Sequence, residues 1–592
     1  MTSSTLPTGP DVIIIMTDQE RAAPPYETDE LRDWRTRTMP ARRWFEEHAV
    51  SFTRHYTGSL ACVPSRPTLF TGHYPDVHGV TQTDGLGKDA DDTRLRWLRE
   101  GEVPTLGHWF RAAGYDTHYD GKWHLSHADL IDDDHTSIAT NDDAGVIDEA
   151  AVQAYLDADP LDPYGFSGWV GPEPHGGQLA NSGTRRDPLI AARVAAWLQD
   201  RYARRRAGDA DAQRPFLLVA SFVNPHDIVL VPAWSRNGAP IEPGPADPPP
   251  VPPSPTDDED LSSKPRAQAA YREAYPTGYG PRDTIEAIYA DNEQWYRDLY
   301  HRLHVEVDAP IDQVRTMIEG DAVIVRTSDH GELLGAHGGL HQKWFSLYDE
   351  ATRVPFEVAR VGATPTAPRQ VDAVTSHLDL VPTLLGAAGI DAAAVADELR
   401  QRFSEVHPLP GRNLMPIVDG DEPADADRTV YLMTRDNILE GDTGASAIGR
   451  ALGMTVDTPP NLRIEVPADV GSNFEGVVGR VAEADAAGGD GHLWKLARTF
   501  DDPATWTEPA VRHLTSSGPD GDSFRSAPVD DEWELYDLTA DPIEAVNRWN
   551  DPEASAVFGL LRERLAAERS RCVPARNEPW PYATRVGPTF TT

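Results

Sequence analysis

The sequence predicts an α/β fold in which a large sheet flanked by helices carries most of the chain. Short apolar runs predict three buried strands, at residues 11–16, 215–220 and 321–326. Helical patterns lie between or beside them, at residues 103–113, 188–205 and 284–303. Strands that alternate with helices are typical of a doubly wound sheet or a related three-layer arrangement.

Each predicted strand ends in polar residues. Asp18 and Gln19 follow the first strand, His226 lies after the second, and Asp329 with His330 follows the third. Sheets of this class bind ligands at the carboxyl ends of their strands. Carboxylate ligands suit Ca²⁺, Mg²⁺ or Mn²⁺, and a histidine widens the choice toward transition metals. The strand ends therefore predict a metal site.

The last part of the chain predicts a smaller domain. An acidic, polar segment near residues 419–427 follows a helical stretch at 377–388, so we place the domains at 1–425 and 426–592. Three predicted strands, 428–433, 493–500 and 533–538, and an amphipathic helix at 552–569 suggest a small sheet closed by a helix. Residues 239–262, rich in proline and then acidic, predict a surface insertion without a core of its own.

The overall composition restricts the partners and the compartment. The formal net charge is −41, with 54 basic and 95 acidic side chains, which disfavours nucleic acid and anionic membranes as partners. Two distant cysteines, Cys62 and Cys572, fit a reducing compartment. Residues 1–16 lack a signal-peptide pattern, and no apolar run reaches the roughly 20 residues of a spanning helix. We expect a cytoplasmic protein without membrane spans; the oligomeric state stays open.

Residues 61–72 (ACVPSRPTLFTG) carry the most informative pattern. A lone cysteine is ordinarily a small buried apolar residue. Here proline and small polar residues place Cys62 at the start of a helix, where the backbone N–H groups and the helix dipole favour an anion. Arg66 adds a cation one turn along. This arrangement suits a tetrahedral oxyanion such as sulfate or phosphate.

The same segment resembles the Cys-x-Pro-x-Arg signature of type I sulfatases, in which a formylglycine-generating enzyme oxidises the cysteine. Further segments resemble that family in the family's order: residues 121–124 (GKWH), 224–226 (NPH), 328–331 (SDHG), 378–385 (LDLVPTLL) and 533–538 (WELYDL). The resemblance implies an alkaline phosphatase-like fold, with a large mixed sheet flanked by helices and a smaller C-terminal antiparallel sheet plus helix.

The resemblance also implies the site residues. The catalytic candidates are Cys62, Arg66, Lys122, His124, His226 and Lys343, and the metal-binding candidates are Asp18, Gln19, Cys62, Asp329 and His330. The cofactors are formylglycine at Cys62 and one divalent ion, for which we expect Ca²⁺, with Mn²⁺ and Mg²⁺ as alternatives.

Each catalytic candidate has an implied role. Arg66 and Lys122 would hold the hydrated aldehyde and the sulfate oxygens. His124 would be the base that releases the sulfated intermediate, while His226 and Lys343 would assist the leaving group. Structural or surface positions are the ordinary alternatives for the histidines and for Lys343.

The motifs give less direct information about the substrate. The pairs Asp18–Gln19 and Asp329–His330 resemble choline sulfatases and phosphonate monoester hydrolases, whereas Lys122 with His124 favours sulfate. We expect hydrolysis of a small sulfate monoester to an alcohol or phenol and sulfate. A phosphonate monoester or phosphodiester hydrolase with the same nucleophile, and a non-catalytic binding protein, are the alternatives. Residues 164–169 and 172–175 could form a pocket wall or pack as an ordinary loop.

Overall fold

The structure is a computed structural model. It describes residues 9–84, 95–133, 136–174, 179–241, 244, 246–435, 470–471, 473–483, 485–487, 491–506, 508, 510–518 and 521–579. The large part of the chain forms a seven-stranded mixed sheet in the order β3-β4-β1-β5-β6-β2-β7. Its strands are β1 (Asp11–Asp18), β2 (Val50–Tyr56), β3 (Asp116–Gly121), β4 (Phe216–Pro225), β5 (Ala322–Ser328), β6 (Phe356–Val361) and β7 (Arg369–Ser376).

Strand β1 lies in the middle of this sheet, as its apolar sequence predicts. All eight of its residues are buried. It pairs in parallel with both β4 and β5, and β3 extends the parallel set beyond β4. Parallel strands end at the same edge of a sheet, so the residues that follow β1, β3, β4 and β5 meet there.

Helices cover both faces of the sheet, and β1 shows why. Its side chains alternate between two cores, because successive residues of a strand point to opposite faces. Val12 and Ile14 pack in a core with Phe70 of the helix Cys62–Thr71. Ile13 and Ile15 pack in the opposite core with residues of the helices Pro40–His48, Gly183–Arg206 and Glu293–Thr316. The predicted three-layer α/β fold is therefore confirmed.

Thirteen helices in the described part of the chain have seven residues or more. They are Asp29–Thr38, Pro40–His48, Cys62–Thr71, Leu106–Ala112, Glu149–Ala158, Gly183–Arg206, Val231–Asn237, Arg266–Ala274, Arg282–Asp291, Glu293–Thr316, Leu380–Ala387, Ala392–Leu399 and Ser555–Cys572.

Two helix predictions differ from the structure. The predicted helix at 284–303 is two helices that meet at Asn292, and the second continues to Thr316. The helix predicted from residue 188 begins earlier, at Gly183, with Pro188 inside its first turns. Its start is capped by Asp227, whose carboxylate accepts the backbone N–H groups of Gly183 and Thr184 at 2.8 and 2.9 Å. This cap is distant in sequence and leaves no local signal.

The C-terminal part contains a four-stranded antiparallel sheet in the order β13-β10-β9-β8. Its strands are β8 (Thr429–Thr434), β9 (Asn473–Val481), β10 (His492–Phe500) and β13 (Glu532–Asp537). The helix Ser555–Cys572 packs on one face. The predicted sheet and helix are confirmed, while β9 and the hairpin of β11 (His513–Gly518) and β12 (Gly521–Arg525) were not predicted. The boundary at 425/426 stays a prediction.

The proline-rich insertion packs onto the rest of the protein. Val251 and Leu261 are each 4% exposed and join apolar clusters formed by other segments. Residues 242, 243 and 245 of this predicted insertion lie outside the described residues. The described part thus has no separate core but adds to existing ones.

Within the described ranges, no single helix is long and apolar enough to cross a membrane. One pair of helical segments, His377–Ala387 and Ala392–Leu399, meets the length and composition criterion only when both are taken together, and the two are bent by 108°.

Candidate active site

Cys62 is the first residue of a helix whose ten residues are all buried. Its Sγ lies 3.0 Å from His330 Nε2, 3.7 Å from Asp18 Oδ1 and 3.9 Å from Lys122 Nζ. The cysteine side chain therefore lies at the carboxyl edge of the sheet, between the last residue of β1 and residues that follow β3 and β5. The helix start predicted from the sequence is where the structure has it.

Four side chains at this edge could hold a metal ion. We call these four residues, Asp18, Cys62, Asp329 and His330, the metal group. Each offers one ligand atom, and these atoms all lie within 4.8 Å of one another. Metal–ligand bonds of roughly 2.0–2.6 Å place pairs of ligand atoms no more than about 5 Å apart, so this spacing fits one divalent ion.

The orientation of His330 also fits a metal ligand. Its Nδ1 lies 3.0 Å from the carbonyl oxygen of Gly331, which makes Nδ1 the donor and leaves the lone pair on Nε2. Nε2 lies 3.8 Å from both Asp18 Oδ1 and Asp329 Oδ1. Burial lowers the pKa of His330, which favours the neutral ring that a metal requires.

Arg66 bridges the two carboxylates of this group. It is fully buried, and it donates to Asp329 Oδ2 at 2.8 Å and to Asp18 Oδ2 at 2.9 Å. It also donates to the carbonyl oxygen of Lys122 and to Ser221 Oγ. Burial alone would lower the pKa of Arg66, but the charges of Asp329 and Asp18 raise it. The resemblance implied that Arg66 contacts the substrate, whereas its described contacts hold the two carboxylates of the candidate metal site.

Lys122 lies beside the same carboxylate. Its Nζ is 2.6 Å from Asp18 Oδ2, and both side chains are fully buried. Burial opposes ionisation of Asp18, but Lys122, His226 and Arg66 hold its pKa well below the usual range. His226 is half-buried and follows β4 directly, after the cis peptide bond between Asn224 and Pro225. Asp18 is thus an ionised carboxylate in a cationic surrounding.

Gln19 and Lys343 meet on the other side of the group. Lys343 is 2% exposed, and its Nζ donates to Gln19 Oε1 at 2.9 Å. The backbone N–H of Gln19 donates to Asp329 Oδ1 at 3.1 Å. A carbonyl oxygen has two lone pairs, so Gln19 Oε1 can accept from Lys343 and still bind an ion. The predicted loop lysine is therefore a buried residue of the site.

His124 sits in a strained turn after β3, with φ of 57°. Its Nε2 lies 2.7 Å from Asp84 Oδ1. The Glu173 carboxylate accepts the backbone N–H groups of Trp123 at 3.1 Å and His124 at 3.0 Å. Two distant acids thus orient the ring and the backbone of this histidine.

Several site residues were missed from the sequence: Asp84, Glu173, Ser221 and Glu332. Each acts through a contact distant in sequence, and an isolated acid or serine carries no local signal. Glu173 alone lay in a segment singled out as a pocket wall. In the other segment of that prediction, residues 164–169, Phe166 and Trp169 are fully buried in the core, whereas Ser167 lines a cavity together with His118 and Trp197. His175 of the same prediction lies outside the described residues.

Two loop histidines stay apart from the metal group. His337 lies between Glu259 and Glu350, and its ring stacks on Tyr348. His341 stacks on Tyr289 with ring centres 4.0 Å apart. Among the described contacts, neither histidine touches a candidate metal ligand.

Comparison with known proteins gives consistent matches. The chain is 26% identical over 380 residues to the uncharacterized sulfatase YidJ of Escherichia coli (strain K12), covering 62% of this chain and 64% of that protein. It is 26% identical to the choline-sulfatase of Rhizobium meliloti (strain 1021), covering 70% of this chain and 72% of that protein. The crystal structure of the phosphonate monoester hydrolase of Agrobacterium radiobacter superposes with a TM-score of 0.54 at 18% identity, covering 95% of this chain and 96% of that one.

The structural match shows a shared fold. The choline-sulfatase and the phosphonate monoester hydrolase belong to the two groups that the Asp-Gln and Asp-His pairs resemble. The sulfatase family model matches residues 10–390, which is more than half of the chain and includes every site residue described above. The chain therefore belongs to the sulfatase family.

Proposed function

We propose that the protein is a sulfuric ester hydrolase that cleaves a small sulfate monoester to an alcohol or phenol and inorganic sulfate. One observation carries the proposal. Cys62 stands at a buried helix start with its Sγ 3.0 Å from His330 Nε2, inside a group that fits a divalent ion. The formylglycine-generating enzyme would be its partner in maturation, and the cytoplasm its location.

The site has the charge that an anionic ester requires. The chain as a whole carries −41, so an anion is attracted only where cations are concentrated. Lys122 and Lys343 are both buried beside the metal group. Their ammonium groups and a bound divalent ion would together balance the carboxylates and the incoming sulfate.

The residues present fit the groups that the family implies. Asp18, Asp329, His330 and the modified Cys62 would hold the ion, with Gln19 Oε1 beside them; Ca²⁺ is the expected ion because oxygen ligands predominate, and Mn²⁺ or Mg²⁺ are the alternatives. When bound, the ion supplies Lewis-acid stabilisation of negative charge, and formylglycine supplies an oxygen nucleophile in place of the thiol.

The other side chains have roles that their contacts support. Asp84 accepts a hydrogen bond from Nε2 of His124, so Nδ1 is the ring nitrogen that takes up a proton. His226 enters the site from the end of β4, and Lys343 enters it from the loop after β5. Both would donate a proton to the leaving oxygen or stabilise its charge. Arg66 holds Asp18 and Asp329 in place.

The test combines mass spectrometry with kinetics. The protein is produced with and without a formylglycine-generating enzyme, and the peptide containing Cys62 is weighed. Conversion to formylglycine lowers its mass by about 18 Da because thiol becomes aldehyde. Hydrolysis of 4-nitrophenyl sulfate should rise with the converted fraction and be lost in Cys62→Ala. Full conversion without hydrolysis of any sulfate ester tested would contradict the proposal.

A phosphonate monoester hydrolase is the second candidate, because the pairs Asp18–Gln19 and Asp329–His330 resemble that group as well as choline sulfatases. The same converted protein is assayed on 4-nitrophenyl phenylphosphonate. A kcat/KM for the phosphonate above that for the sulfate would favour this candidate. An unconverted thiol in the native host, with the modifying enzyme present, would favour a binding protein instead.

A further inference from the structure

Glu332 is a fully buried carboxylate that the proposed catalytic roles do not use. It lies three residues after Asp329 and is 0% exposed. Its Oε1 accepts three hydrogen bonds, from the Tyr296 hydroxyl at 3.0 Å, Leu334 N at 2.9 Å and Gln342 N at 2.8 Å. Its Oε2 accepts a short hydrogen bond from Gln19 Nε2. The first oxygen is thus surrounded by donors, and the second faces Gln19.

The Gln19 amide lies between two groups of opposite hydrogen-bonding character. Lys343 Nζ can only donate, and it faces Gln19 Oε1 at 2.9 Å. An ionised Glu332 can only accept, and it faces Gln19 Nε2. A rotation of the amide by 180° would place two donors against each other on one side and two acceptors on the other. Only the observed orientation satisfies both neighbours.

We propose that Glu332 is a positioning residue that directs the amide oxygen of Gln19 toward Lys343 and the metal group. Through Gln342 N, the same carboxylate also fixes the backbone next to Lys343. Glu332 therefore positions one oxygen of the site, Gln19 Oε1, and one cation, the ammonium group of Lys343. The consequence for catalysis rests on the proposed function, whereas the orientation of Gln19 does not.

The decisive variant is Glu332→Gln, which keeps the shape of the side chain. The new amide has only one acceptor oxygen. This oxygen must take the position of Glu332 Oε1, because the donors of Tyr296, Leu334 and Gln342 point at that position. Its NH₂ group then faces Gln19 Nε2, so Gln19 must rotate and turn its own NH₂ toward Lys343. We expect the dissociation constant for Mn²⁺, measured by calorimetry, to rise at least about tenfold, as changes behind a metal ligand often cause. We expect kcat to fall more than KM rises.

The exchanged pair Gln19→Glu with Glu332→Gln is the matched control. In this double variant the amide at 332 donates to the carboxylate at 19, whose other oxygen again accepts from Lys343. The total charge is that of the native protein. We expect Mn²⁺ affinity and kcat to return to within about threefold of the native values, whereas Gln19→Glu alone places two carboxylates together and stays impaired.

The outcomes that decide the inference fall into three cases. Weak Mn²⁺ binding in Glu332→Gln with recovery in the double variant supports it, and native affinity in the single variant overturns it. If Glu332→Gln does not fold, a folded double variant that binds Mn²⁺ supports the inference, and an unfolded one overturns it. If the native protein binds no divalent ion, the proposed metal centre is wrong, and a crystal structure of Glu332→Gln tests the orientation of Gln19 instead. A retained contact between Lys343 Nζ and the Gln19 amide overturns the inference, and loss of that contact supports it.

Discussion

Lys122 and Asp18 form a fully buried ion pair, with Nζ 2.6 Å from Oδ2, at the ends of two strands separated in the sheet by β4. Arg66 contacts the same carboxylate oxygen at 2.9 Å. Buried charges are costly unless they are paired. This pair therefore ties the two strand ends together and keeps a cation within 3.9 Å of Cys62 Sγ.

Replacing Lys122 with methionine should reduce turnover with little change in fold. Methionine keeps most of the side-chain volume but removes the ammonium group that balances Asp18 and faces Cys62. Loss of one such charged group typically costs about 10²–10³-fold in kcat. Steady-state kinetics on the converted enzyme measures the effect, and circular dichroism checks the fold. A kcat within threefold of native would contradict a role for Lys122 at the reacting group.

Arg66→Lys should destabilise the protein and weaken metal binding. Lysine carries one point charge and cannot reach Asp18 and Asp329 in the forked geometry of a guanidinium. A buried carboxylate left without its partner typically costs about 3–5 kcal/mol in the free energy of unfolding. Urea unfolding and metal content by mass spectrometry test this. Arg206→Lys, at an exposed ion pair with Glu319, is the control and should change little.

Asp84→Asn should lower kcat through the orientation of His124. An amide can donate where the carboxylate accepts, so the ring would no longer be held with its proton on Nε2. Loss of general acid–base catalysis costs about 10²–10⁴-fold. The loss should be in kcat with KM nearly unchanged, and Asp84→Glu, which keeps an accepting carboxylate, should recover part of kcat. A kcat for Asp84→Asn within threefold of the native value would argue against this role.

His337 makes stability depend on pH in the alkaline range. Burial alone would lower its pKa, but the hydrogen bond to Glu259 and the nearby carboxylate of Glu350 raise it to about 9. The contribution of protonated His337 to the free energy of unfolding is fully present below the pKa of the unfolded state, about 6.5. It is lost as the pH rises through the folded-state pKa of about 9. The shift corresponds to about 3 kcal/mol at most. Urea unfolding between pH 6 and pH 10 should show this loss in the native protein and much less of it in His337→Gln.

Chelation should remove activity and stability together. An ion that binds only the folded state stabilises it by an amount that grows with its concentration over the dissociation constant. We therefore expect EDTA to lower Tm and abolish hydrolysis, and excess Ca²⁺ or Mn²⁺ to restore both. The variant Asp329→Asn should show a lower Tm already and little further change with EDTA. An unchanged native Tm after verified removal of metal would contradict the centre.

The sequence by itself determined the class of fold and the family, and it predicted the residues of the candidate site. The apolar β-branched run before Asp18 predicts a buried central strand, and it is one because such residues pack on both faces of a parallel sheet. The order of the short motifs, from Cys62 to Asp329, predicted which side chains meet. The strands β2 and β3 escaped prediction because their sequences mix polar and apolar residues without a clear period.

Only the tertiary structure decided how those residues are held. That Arg66 contacts Asp18 and Asp329 depends on the packing of a helix start against two strand ends. That Glu332 directs the Gln19 amide depends on donors from three other segments, at Gln19, Tyr296 and Gln342, meeting at one carboxylate. Hydrogen bonds between residues distant in sequence follow from the arrangement of the strands and helices, and local sequence patterns carry no record of them.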